Sequence, residues 1–293
     1  MVTLREIWRR GTKFLRQAGA ETPALDAEVL LRHLTGRSRE EFYRDLVTPW
    51  PQDAEPCWQE ILNRRASGTP VAYITGEKEF YGLSLQVTPA VLVPRPETEI
   101  LVQRALELFQ EGALLPDARI LDIGTGSGAI SVALAVNLPQ VQIMAVDISA
   151  RALAVASANA RRYKVQSRLH LEVGDLWPSS EHCVDSVLTA WPKFNLIVSN
   201  PPYIASEQIA RLSPEVQQEP ELALDGGTDG LSVYRRLIAG LKEHLLSEGW
   251  VLLEVGADQA DRVSELLVEA GMQVLPPVSD LAGYPRVVQA KEG

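Results

Sequence analysis

Apolar residues in the first 68 positions recur at the three- and four-residue spacing of amphipathic helices. Residues that typically begin or end a helix divide this stretch into short segments; they are Thr3, Gly19, Thr22, Pro23, Gly36, Ser38, Glu41 and Gly68. Short helices with short links predict a small helical bundle over residues 1–68. Nothing in this bundle has the pattern of a chemical site, so we expect it to support the structure or to dock a partner.

Residues 69–93 have a different pattern, in which aromatic and aliphatic residues are punctuated by Gly76 and Gly82. This pattern predicts a β-hairpin that links the bundle to the rest of the chain. A proline-rich segment, residues 94–99, then leads into an amphipathic helix. Its composition alone indicates a linker and a helix start, with acidic residues that complement the helix dipole.

Strand and helix patterns alternate from Arg119 to the end of the chain. Short apolar strands are predicted at 120–123, 143–146, 169–173, 196–198 and 250–255. Alternation of this kind indicates a parallel, doubly wound α/β sheet. Residues 94–293 are therefore expected to form one α/β domain behind the helical bundle and its linker.

The predicted strand at 196–198 runs into the turn Asn200-Pro201-Pro202-Tyr203. Prolines cannot continue a central strand because they lack the N–H group, so this turn is expected at the carboxyl end of the strand. Open α/β sheets bind their ligands at that edge. The Asn200 oxygen, a carbonyl of the Pro-Pro step and the Tyr203 ring together suit a planar group that carries an –NH2. A capped strand end with a packed tyrosine is the structural alternative; it accounts for Asn-Pro alone better than for all four residues.

A glycine-rich loop, Gly124-Thr125-Gly126-Ser127-Gly128, lies between the strand at 120–123 and a helix that begins near Ala129. Glycines allow the backbone to approach a ligand closely at the start of a helix. The spacing Gly-x-Gly-x-Gly differs from the Gly-x-Gly-x-x-Gly of dinucleotide sites, and Asp122 precedes the loop. Both details favour S-adenosylmethionine over a pyrophosphate cofactor, because no phosphate needs a cradle.

Acidic residues end the next two predicted strands. Asp147 can accept hydrogen bonds from both hydroxyls of a ribose. Asp175 is placed to meet an adenine amino group, and Leu176 to lie against the adenine ring. Each aspartate taken singly fits a solvated strand end or a helix cap. Together with the glycine loop, they predict that successive strand ends converge on one cofactor cleft.

Composition and charge limit the classes of protein to which the chain can belong. The chain has 293 residues, of which 46% are hydrophobic and 23% charged, which suffices for a sizeable core. A net charge of −10 argues against nucleic-acid binding through a broad basic face. Two cysteines, Cys57 and Cys183, make neither a disulfide framework nor a metal set. This cysteine usage fits a reducing cytosol and predicts a cytoplasmic protein. Charged residues close to the N-terminus and the lack of an uninterrupted apolar span predict that there is no signal peptide and no membrane helix.

Assembled, these residues give the chain a resemblance to the PrmC/HemK family, the glutamine methyltransferases that modify peptide chain release factors. The resemblance covers essentially the whole chain. It is carried by Tyr73-Ile74-x-Gly76, Pro94-Arg95-Pro96-Glu97-Thr98-Glu99, Asp122 to Gly128, Asp147, Gly174-Asp175, Asn200-Pro201-Pro202-Tyr203, Glu219-Pro220-x-x-Ala223-Leu224, Glu254-Val255-Gly256, Asp280-Leu281-Ala282-Gly283 and Arg286. Adenine and cytosine amino-methyltransferases share the Asn-Pro-Pro-Tyr turn. The Pro-Arg-Pro-Glu-Thr-Glu and Glu-Pro-x-x-Ala-Leu blocks make the resemblance specific.

The resemblance implies a Rossmann-like, class I S-adenosylmethionine-dependent methyltransferase domain behind an N-terminal helical domain that helps to dock class 1 release factors. The substrate would be the glutamine of their Gly-Gly-Gln tripeptide. Asn200 and the Pro201 carbonyl would then accept hydrogen bonds from the glutamine amide, and Tyr203 would pack on its plane, with Pro202 in the same substrate turn. The resemblance also makes Arg95 and Glu97 part of the expected cleft, contrary to the linker indicated by composition.

Two other functions remain open from the sequence. A DNA or RNA adenine or cytosine amino-methyltransferase would use the same turn, but the acidic balance and the N-terminal bundle argue against it. A cofactor-binding interaction protein without turnover would leave the Asn200 turn unexplained. Segment 177–193 is longer than the resemblance suggests and leaves the surface near Asp175 undefined.

Overall fold

The structure, a computed structural model, describes residues 2–178 and 193–293. The chain divides into two compact units. The helical unit comprises Met1–Glu77 and Leu212–Gln218, and the sheet unit comprises Lys78–Arg211 and Glu219–Gly293. The long segment noted at 177–193 lies almost wholly outside the described residues.

The helical unit contains the helices that its apolar spacing predicts. They are α1 (Leu4–Gln17), α2 (Pro23–Thr35), α3 (Arg39–Arg44) and α4 (Glu55–Ala66), followed by the short α5 (Val71–Thr75). Capping boxes begin α1 and α3, where Thr3 pairs with Glu6 and Ser38 with Glu41. Gly36 ends α2 in the left-handed conformation, as a C-terminal glycine commonly does. The apolar faces meet in a core of Leu4, Ile7, Leu15, Leu30, Leu31, Phe42, Trp58 and Leu62.

A buried ion cluster attaches Leu212–Gln218 to the helical unit. The side chain of Arg65 is only 3% exposed and bonds to Asp26 at 2.7 Å and to Glu215. Gln218 also donates to the backbone carbonyl of Ser67 at 2.9 Å. Buried guanidinium and carboxylate groups require partners of this kind, so the segment is held by charge as well as by packing.

The β-hairpin predicted over 69–93 is shorter in the structure. Its strands are β1 (Glu77–Phe80) and β2 (Leu83–Gln86), whereas Val71–Thr75 forms the helix α5. The prediction of strand for this segment was wrong because local signals at its ends dominate. Pro70 directly precedes the helix, and Gly76 caps it in the left-handed conformation with an N–H bond to the Ala72 carbonyl.

A seven-stranded sheet forms the centre of the sheet unit, in the order β5-β4-β3-β6-β7-β9-β8. All pairings from β5 to β7 are parallel, and β9 runs antiparallel to both of its neighbours. The strands are β3 (Arg119–Ile123), β4 (Gln142–Asp147), β5 (Leu169–Val173), β6 (Phe194–Ser199), β7 (Leu245–Glu254), β8 (Gln273–Ser279) and β9 (Pro285–Lys291). The predicted doubly wound α/β class is confirmed.

Helices cover both faces of this sheet. They are α6 (Thr98–Gln110), α7 (Ala129–Asn137), α8 (Ala150–Arg162), α10 (Ser232–His244) and α11 (Ala260–Glu269), whereas the short α9 (Ser206–Ile209) has no buried residue. Successive strand residues point to opposite faces, so Ile120 joins the core with α6 and α7, and Leu121 joins the core with α10 and α11. No helix among the described residues combines the length and the apolar character needed to cross a membrane.

The position of β3 determines where a site can form. The chain goes from β3 to β4 on one side, and β6 returns to pair with β3 on the other. Strand connections that diverge in this way leave a crevice beyond the carboxyl ends of the strands. Ile123 pairs with Ser199, so Gly124 and Asn200 follow paired residues and lie at the two sides of that crevice.

Candidate active site

A cavity of about 470 Å³ opens beyond the carboxyl ends of β3, β4, β5 and β6. Its size falls within the range of about 300–1,000 Å³ that is usual for small-molecule sites. All of its lining belongs to the sheet unit. Side chains and backbone come from the loops after these strands, together with Ala90–Thr98 and Pro220–Asp225. The strand-end rule therefore correctly locates this cavity at the carboxyl edge of the sheet.

The glycine loop lines the cavity from Gly124 to Ser127. Gly124, Gly126 and Gly128 all have positive φ angles, which favour glycine. Most backbone N–H groups of the loop are already engaged. Those of Gly124 and Thr125 donate to the Val146 carbonyl, and that of Gly128 donates to the Thr125 carbonyl. A loop bonded in this way is not an open nest of N–H groups for a phosphate.

Gly128 has a packing role and does not line the cavity. A Cβ atom there would come within 3.1 Å of the Ala156 side chain, so glycine allows α7 to approach α8. Asn159 on α8 strengthens the junction by donating to the Ser127 carbonyl at 2.8 Å. Of the five predicted loop residues, Gly124 to Ser127 contact the cavity and Gly128 supports them.

Asp122 lies beneath the loop and is fully buried. Its carboxyl accepts hydrogen bonds from Thr125 at 2.7 Å and from Ser131. Burial raises the pKa of Asp122 to about 6, although these hydroxyls act in the opposite direction. Asp122 therefore ties the loop to α7 from below.

Asp147 ends β4 and lines the cavity. Its Oδ2 accepts the N–H of Gly126 at 2.8 Å, and its Oδ1 accepts the N–H of Ser149 at 2.9 Å. Each carboxylate oxygen can accept a further hydrogen bond. The carboxylate is thus held in a fixed orientation and keeps capacity to bind a ligand.

Asp175 and Leu176 line the cavity beyond β5. The Oδ2 atom of Asp175 accepts a 2.7 Å hydrogen bond from Arg236 on α10, and both side chains are more than half exposed. Leu176 has a φ of +71°, which is costly for a residue with a Cβ. Its side chain packs against the core beside α10. Both predicted residues line the cavity, and Asp175 is already paired with the guanidinium group of Arg236.

The Asn200 turn borders the same cavity, which Asn200 and Pro202 line directly. Pro201 is buried. The amide nitrogen of Asn200 donates to the hydroxyl of Thr98 at 3.2 Å. Among the described residues, no donor bonds to its Oδ1. Asn200 therefore has an available acceptor beside the glycine loop.

Tyr203 lies on the other side of this turn, at a second cavity of about 320 Å³ that Gly256 and Gln259 also line. Its backbone carbonyl accepts from Gln259 at 2.9 Å, and its ring packs against the core beside α10. Burial raises the pKa of its hydroxyl to about 12, so the phenol stays neutral. Asn200 and Tyr203 thus line different cavities, whereas the sequence predicts that both face one planar group.

Arg95 lines the main cavity, whereas Glu97 does not. Arg95 bonds at 2.6 Å to Glu219, whose buried carboxylate also accepts the N–H of Val93. This contact explains how two blocks far apart in the chain come together. Glu97 is the N-cap residue of α6 and lies outside the main lining, and its charge acts to raise the pKa of Tyr203.

Sequence reasoning missed two residues at this site, Thr98 and Glu254. Thr98 begins α6, lines the cavity and is buried. Glu254 ends β7 and is 2% exposed. The strand-end rule that selected Asp147 applies equally to Glu254, so that signal was available. Thr98 had no comparable signal, because its partner Asn200 is 102 positions away.

No group of three or more His, Cys, Asp or Glu side chains within residues 2–178 and 193–293 has the arrangement of a metal site. Cys57 is exposed and forms no disulfide bond with any residue that the structure describes.

Comparison with known proteins covers both units. Residues 6–76 match the family model described as the PrmC N-terminal domain, and residues 98–219 match the model of the methyltransferase small domain. The chain is 41% identical to the release factor glutamine methyltransferase of Bradyrhizobium diazoefficiens over 95% of this chain and 91% of that protein. It is 37% identical to the corresponding protein of Caulobacter vibrioides, over 98% and 96% of the two chains.

A solved structure supports the fold alone. The crystal structure of a methyltransferase from Pyrococcus furiosus is similar with a TM-score of 0.52 and 19% identity. The match covers 79% of this chain and 98% of that one. The sheet and its helices therefore have the architecture of a class I methyltransferase, as the sequence predicts.

Proposed function

Because the chain belongs to the family of release factor glutamine methyltransferases, we propose that it transfers a methyl group from S-adenosylmethionine to the side-chain amide nitrogen of a release factor glutamine. The glutamine is that of the Gly-Gly-Gln tripeptide of class 1 release factors. Modification of a release factor would connect the protein to translation termination in the cytoplasm. One observation supports this proposal above the others. A single cavity is lined both by the loop Gly124–Ser127 and by the acceptor side chain of Asn200.

The residues of the cavity fit S-adenosylmethionine. The bonded N–H groups of Gly124, Thr125 and Gly128 suit a cofactor without a pyrophosphate. Asp147, held by Gly126 and Ser149, would accept the ribose hydroxyls. Asp175 has one carboxylate oxygen beyond its bond to Arg236 with which to accept the adenine amino group, and Leu176 would contact the ring. When bound, the cofactor supplies an electrophilic methyl carbon whose bond to sulfur breaks as the amide nitrogen bonds to it.

Asn200 would act on the substrate amide as an acceptor. An amide nitrogen is a poor nucleophile because its lone pair is delocalised into the carbonyl. Hydrogen bonds from its N–H groups to Asn200 Oδ1 and to the Pro201 carbonyl would orient the nitrogen and raise its electron density. After the transfer, the nitrogen loses one proton to water, which restores a neutral amide. Tyr203 would pack on the amide plane, and Pro202 would shape the turn.

Arg95 and Glu97 would border the substrate side of the cleft. Arg95 is fixed by Glu219, so its guanidinium is oriented before a substrate arrives. Glu97 supplies a negative charge near Tyr203. These residues would contact the peptide on either side of the glutamine. The helical unit would help to dock the body of the release factor, in agreement with its match to the PrmC N-terminal domain.

The test is incubation with methyl-labelled cofactor and separate substrates. A class 1 release factor is expected to accept the label, and mass spectrometry is expected to locate one methyl group on the Gly-Gly-Gln glutamine. A release factor with that glutamine replaced by glutamate is the matched control and should stay unlabelled. Label on DNA or RNA, with affinity that falls steeply with salt, would identify a nucleic-acid methyltransferase instead. Cofactor binding without labelling of any of these substrates would favour an interaction protein.

A further inference from the structure

The side-chain amide of Asn200 is held by a hydrogen bond to a buried hydroxyl. Its Nδ2 donates to the Thr98 hydroxyl at 3.2 Å. Thr98 is 4% exposed and is the first residue of α6, where its N–H bonds to the Arg95 carbonyl at 3.1 Å. A buried hydroxyl in a helix start has little freedom to move. The Asn200 amide is therefore bonded to a fixed group.

A buried carboxyl lies behind that hydroxyl. Glu254 is 2% exposed, and a side-chain hydrogen bond from Thr98 acts to lower its pKa. Ser199 pairs with Leu253 across β6 and β7, so Asn200 and Glu254 occupy neighbouring positions at the strand ends. Tyr234 secures the backbone of Glu254 by donating to its carbonyl at 2.6 Å. Among the described residues, Glu254 Oε2 has no hydrogen-bond partner.

The number of protons available on each group determines which group donates and which accepts along the series Asn200, Thr98 and Glu254. An ionised carboxylate only accepts hydrogen bonds, so in a hydrogen bond between Thr98 and Glu254 it is Thr98 that donates its single proton. The Thr98 oxygen can then only accept from Asn200. Only the nitrogen end of the Asn200 amide can donate, so that end faces Thr98. The carbonyl oxygen of Asn200 is left for the cavity.

We propose that Thr98 and Glu254 are positioning residues that fix the orientation of the Asn200 amide, so that its oxygen and not its nitrogen meets the substrate. This inference rests on the proposed function, in which the substrate amide donates to Asn200. The two ends of an Asn side chain have nearly the same shape, so packing alone does not distinguish them. With the nitrogen toward the cavity, two donors would face each other and the substrate amide would be repelled.

The charge of Glu254 sets the direction of the chain of hydrogen bonds. Burial raises the pKa of Glu254 to about 7, and the negative charge of Glu97 acts in the same direction. Arg286 and Arg95 act in the opposite direction, and the charge of Glu254 in turn raises the pKa of the hydroxyls of Tyr203 and Tyr234. Protonated Glu254 can donate to Thr98. Thr98 can then donate to Asn200 Oδ1, which turns the nitrogen toward the cavity.

The first test compares two substitutions of Thr98. Thr98→Val keeps the shape but removes the hydroxyl, and it is expected to lower the single-turnover rate of methyl transfer about tenfold, the factor typical of one lost hydrogen bond. Thr98→Ser retains the hydroxyl and should restore most of the rate. The rates are compared at saturating cofactor, because Thr98 also lines the cavity. A Thr98→Val enzyme as fast as the wild type would overturn the proposal.

The second test uses pH. The wild-type rate is expected to decrease as the pH falls through about 7, because protonation of Glu254 reverses the hydrogen bonds. Glu254→Gln has no proton to gain and should give a slower reaction with no step at that pH. A residue with only a structural role would lower the rate without removing the step. An unchanged step in Glu254→Gln would contradict the proposal.

A third measurement needs no methyl transfer. The Nδ2 protons of Asn200 can be followed by NMR in protein labelled with ¹⁵N-asparagine, with Asn200→Asp to assign the signal. One proton is expected to exchange slowly and to shift with pH near 7, and both properties should be lost in Thr98→Val. Retention of both in Thr98→Val would overturn the inference. If the wild type fails to methylate a release factor while this signal behaves as expected, the proposed function fails and the orientation of Asn200 stands.

Discussion

The N–H of Gly126 donates to Oδ2 of Asp147 at 2.8 Å, which joins the loop after β3 to the residue that ends β4. Asp147 also receives the N–H of Ser149, so one carboxylate organises two loops at the cavity edge. The same carboxylate is the proposed acceptor for the ribose of the cofactor. Loop geometry and cofactor binding therefore depend on one side chain.

Replacement of Asp147 by asparagine is expected to weaken cofactor binding. The amide keeps one oxygen but cannot accept at its nitrogen, so either Gly126 or Ser149 loses its partner. We expect the dissociation constant for S-adenosylmethionine to rise by at least about tenfold. Calorimetric titration measures this change directly. Asp53→Asn, at an exposed position of the helical unit, is the control and should bind as the wild type does. Equal affinity in Asp147→Asn would exclude the ribose contact.

Gly230 and Gly283 form a matched pair for testing the packing of the Asn200 turn. Both have positive φ angles, of +73° and +86°. A Cβ at Gly230 would overlap the backbone carbonyl of Tyr203, whereas nothing lies within 4 Å at Gly283. Both alanine variants pay the left-handed backbone cost of about 1–2 kcal/mol, and Gly230→Ala is expected to lose roughly 1–3 kcal/mol more of the free energy of unfolding.

Urea denaturation measures the difference between these two variants. Gly230→Ala should also transfer methyl groups more slowly, because the collision displaces Tyr203. Equal free energies of unfolding and equal rates would show that the turn tolerates displacement of this carbonyl.

The free energy of unfolding should depend on pH because of Glu254. Its pKa in the folded protein is about 7, against an ordinary value of 4.5. The folded state therefore binds this proton more tightly than the unfolded state. The stabilising contribution is complete below about pH 4.5 and is lost as the pH rises through about 7. Its size is about 3 kcal/mol.

Glu254→Gln removes this titration. The free energy of unfolding of the wild type, relative to Glu254→Gln, is expected to fall between pH 4.5 and pH 7 and then to level off. Chemical denaturation at several pH values gives the comparison. Since both proteins contain Asp122, its own raised pKa cancels in the difference. A difference that stays constant over this pH range would show that Glu254 has an ordinary pKa.

The buried cluster around Arg65 should dominate the stability of the helical unit. Arg65→Met would leave Asp26 buried without its cation, at an expected cost of about 3–5 kcal/mol. Arg44→Met removes an exposed partner of Asp45 and should cost less than about 1 kcal/mol. Thermal and urea unfolding distinguish the two. Similar small losses in both variants would mean that Asp26 is satisfied without Arg65.

Local signals account for the parts of the fold that the sequence predicts well. The capping box of Ser38 and Glu41 needs only neighbours, and the structure contains it. The alternation of strands and helices also places Gly124, Asp147 and Asn200 at one edge of the sheet, because parallel strands share their direction. Sequence patterns therefore suffice to predict structures that depend on neighbouring residues, and to predict which strand ends lie at the same edge of a parallel sheet.

Long-range contacts explain what was missed. Thr98 lies in a segment whose composition indicates a linker, and only the folded sheet brings it to Asn200. The attachment of Leu212–Gln218 to the helical unit depends on the ion pair between Arg65 and Glu215, which are 150 positions apart. The short helix Val71–Thr75 contains apolar residues that also suit a strand, so its ends decide its conformation.

The central claim is that the oxygen of Asn200 prepares the substrate amide for methyl transfer. The most direct measurement is the single-turnover rate on a release factor with Asn200→Ala, together with cofactor affinity by calorimetry. We predict a fall in rate of at least about 100-fold, as for loss of a preorganised polar group, with cofactor affinity retained. Asn137→Ala, on α7 with its side chain bonded to the Ala133 carbonyl, is the control and should react normally. An Asn200→Ala enzyme with the wild-type rate would contradict the account.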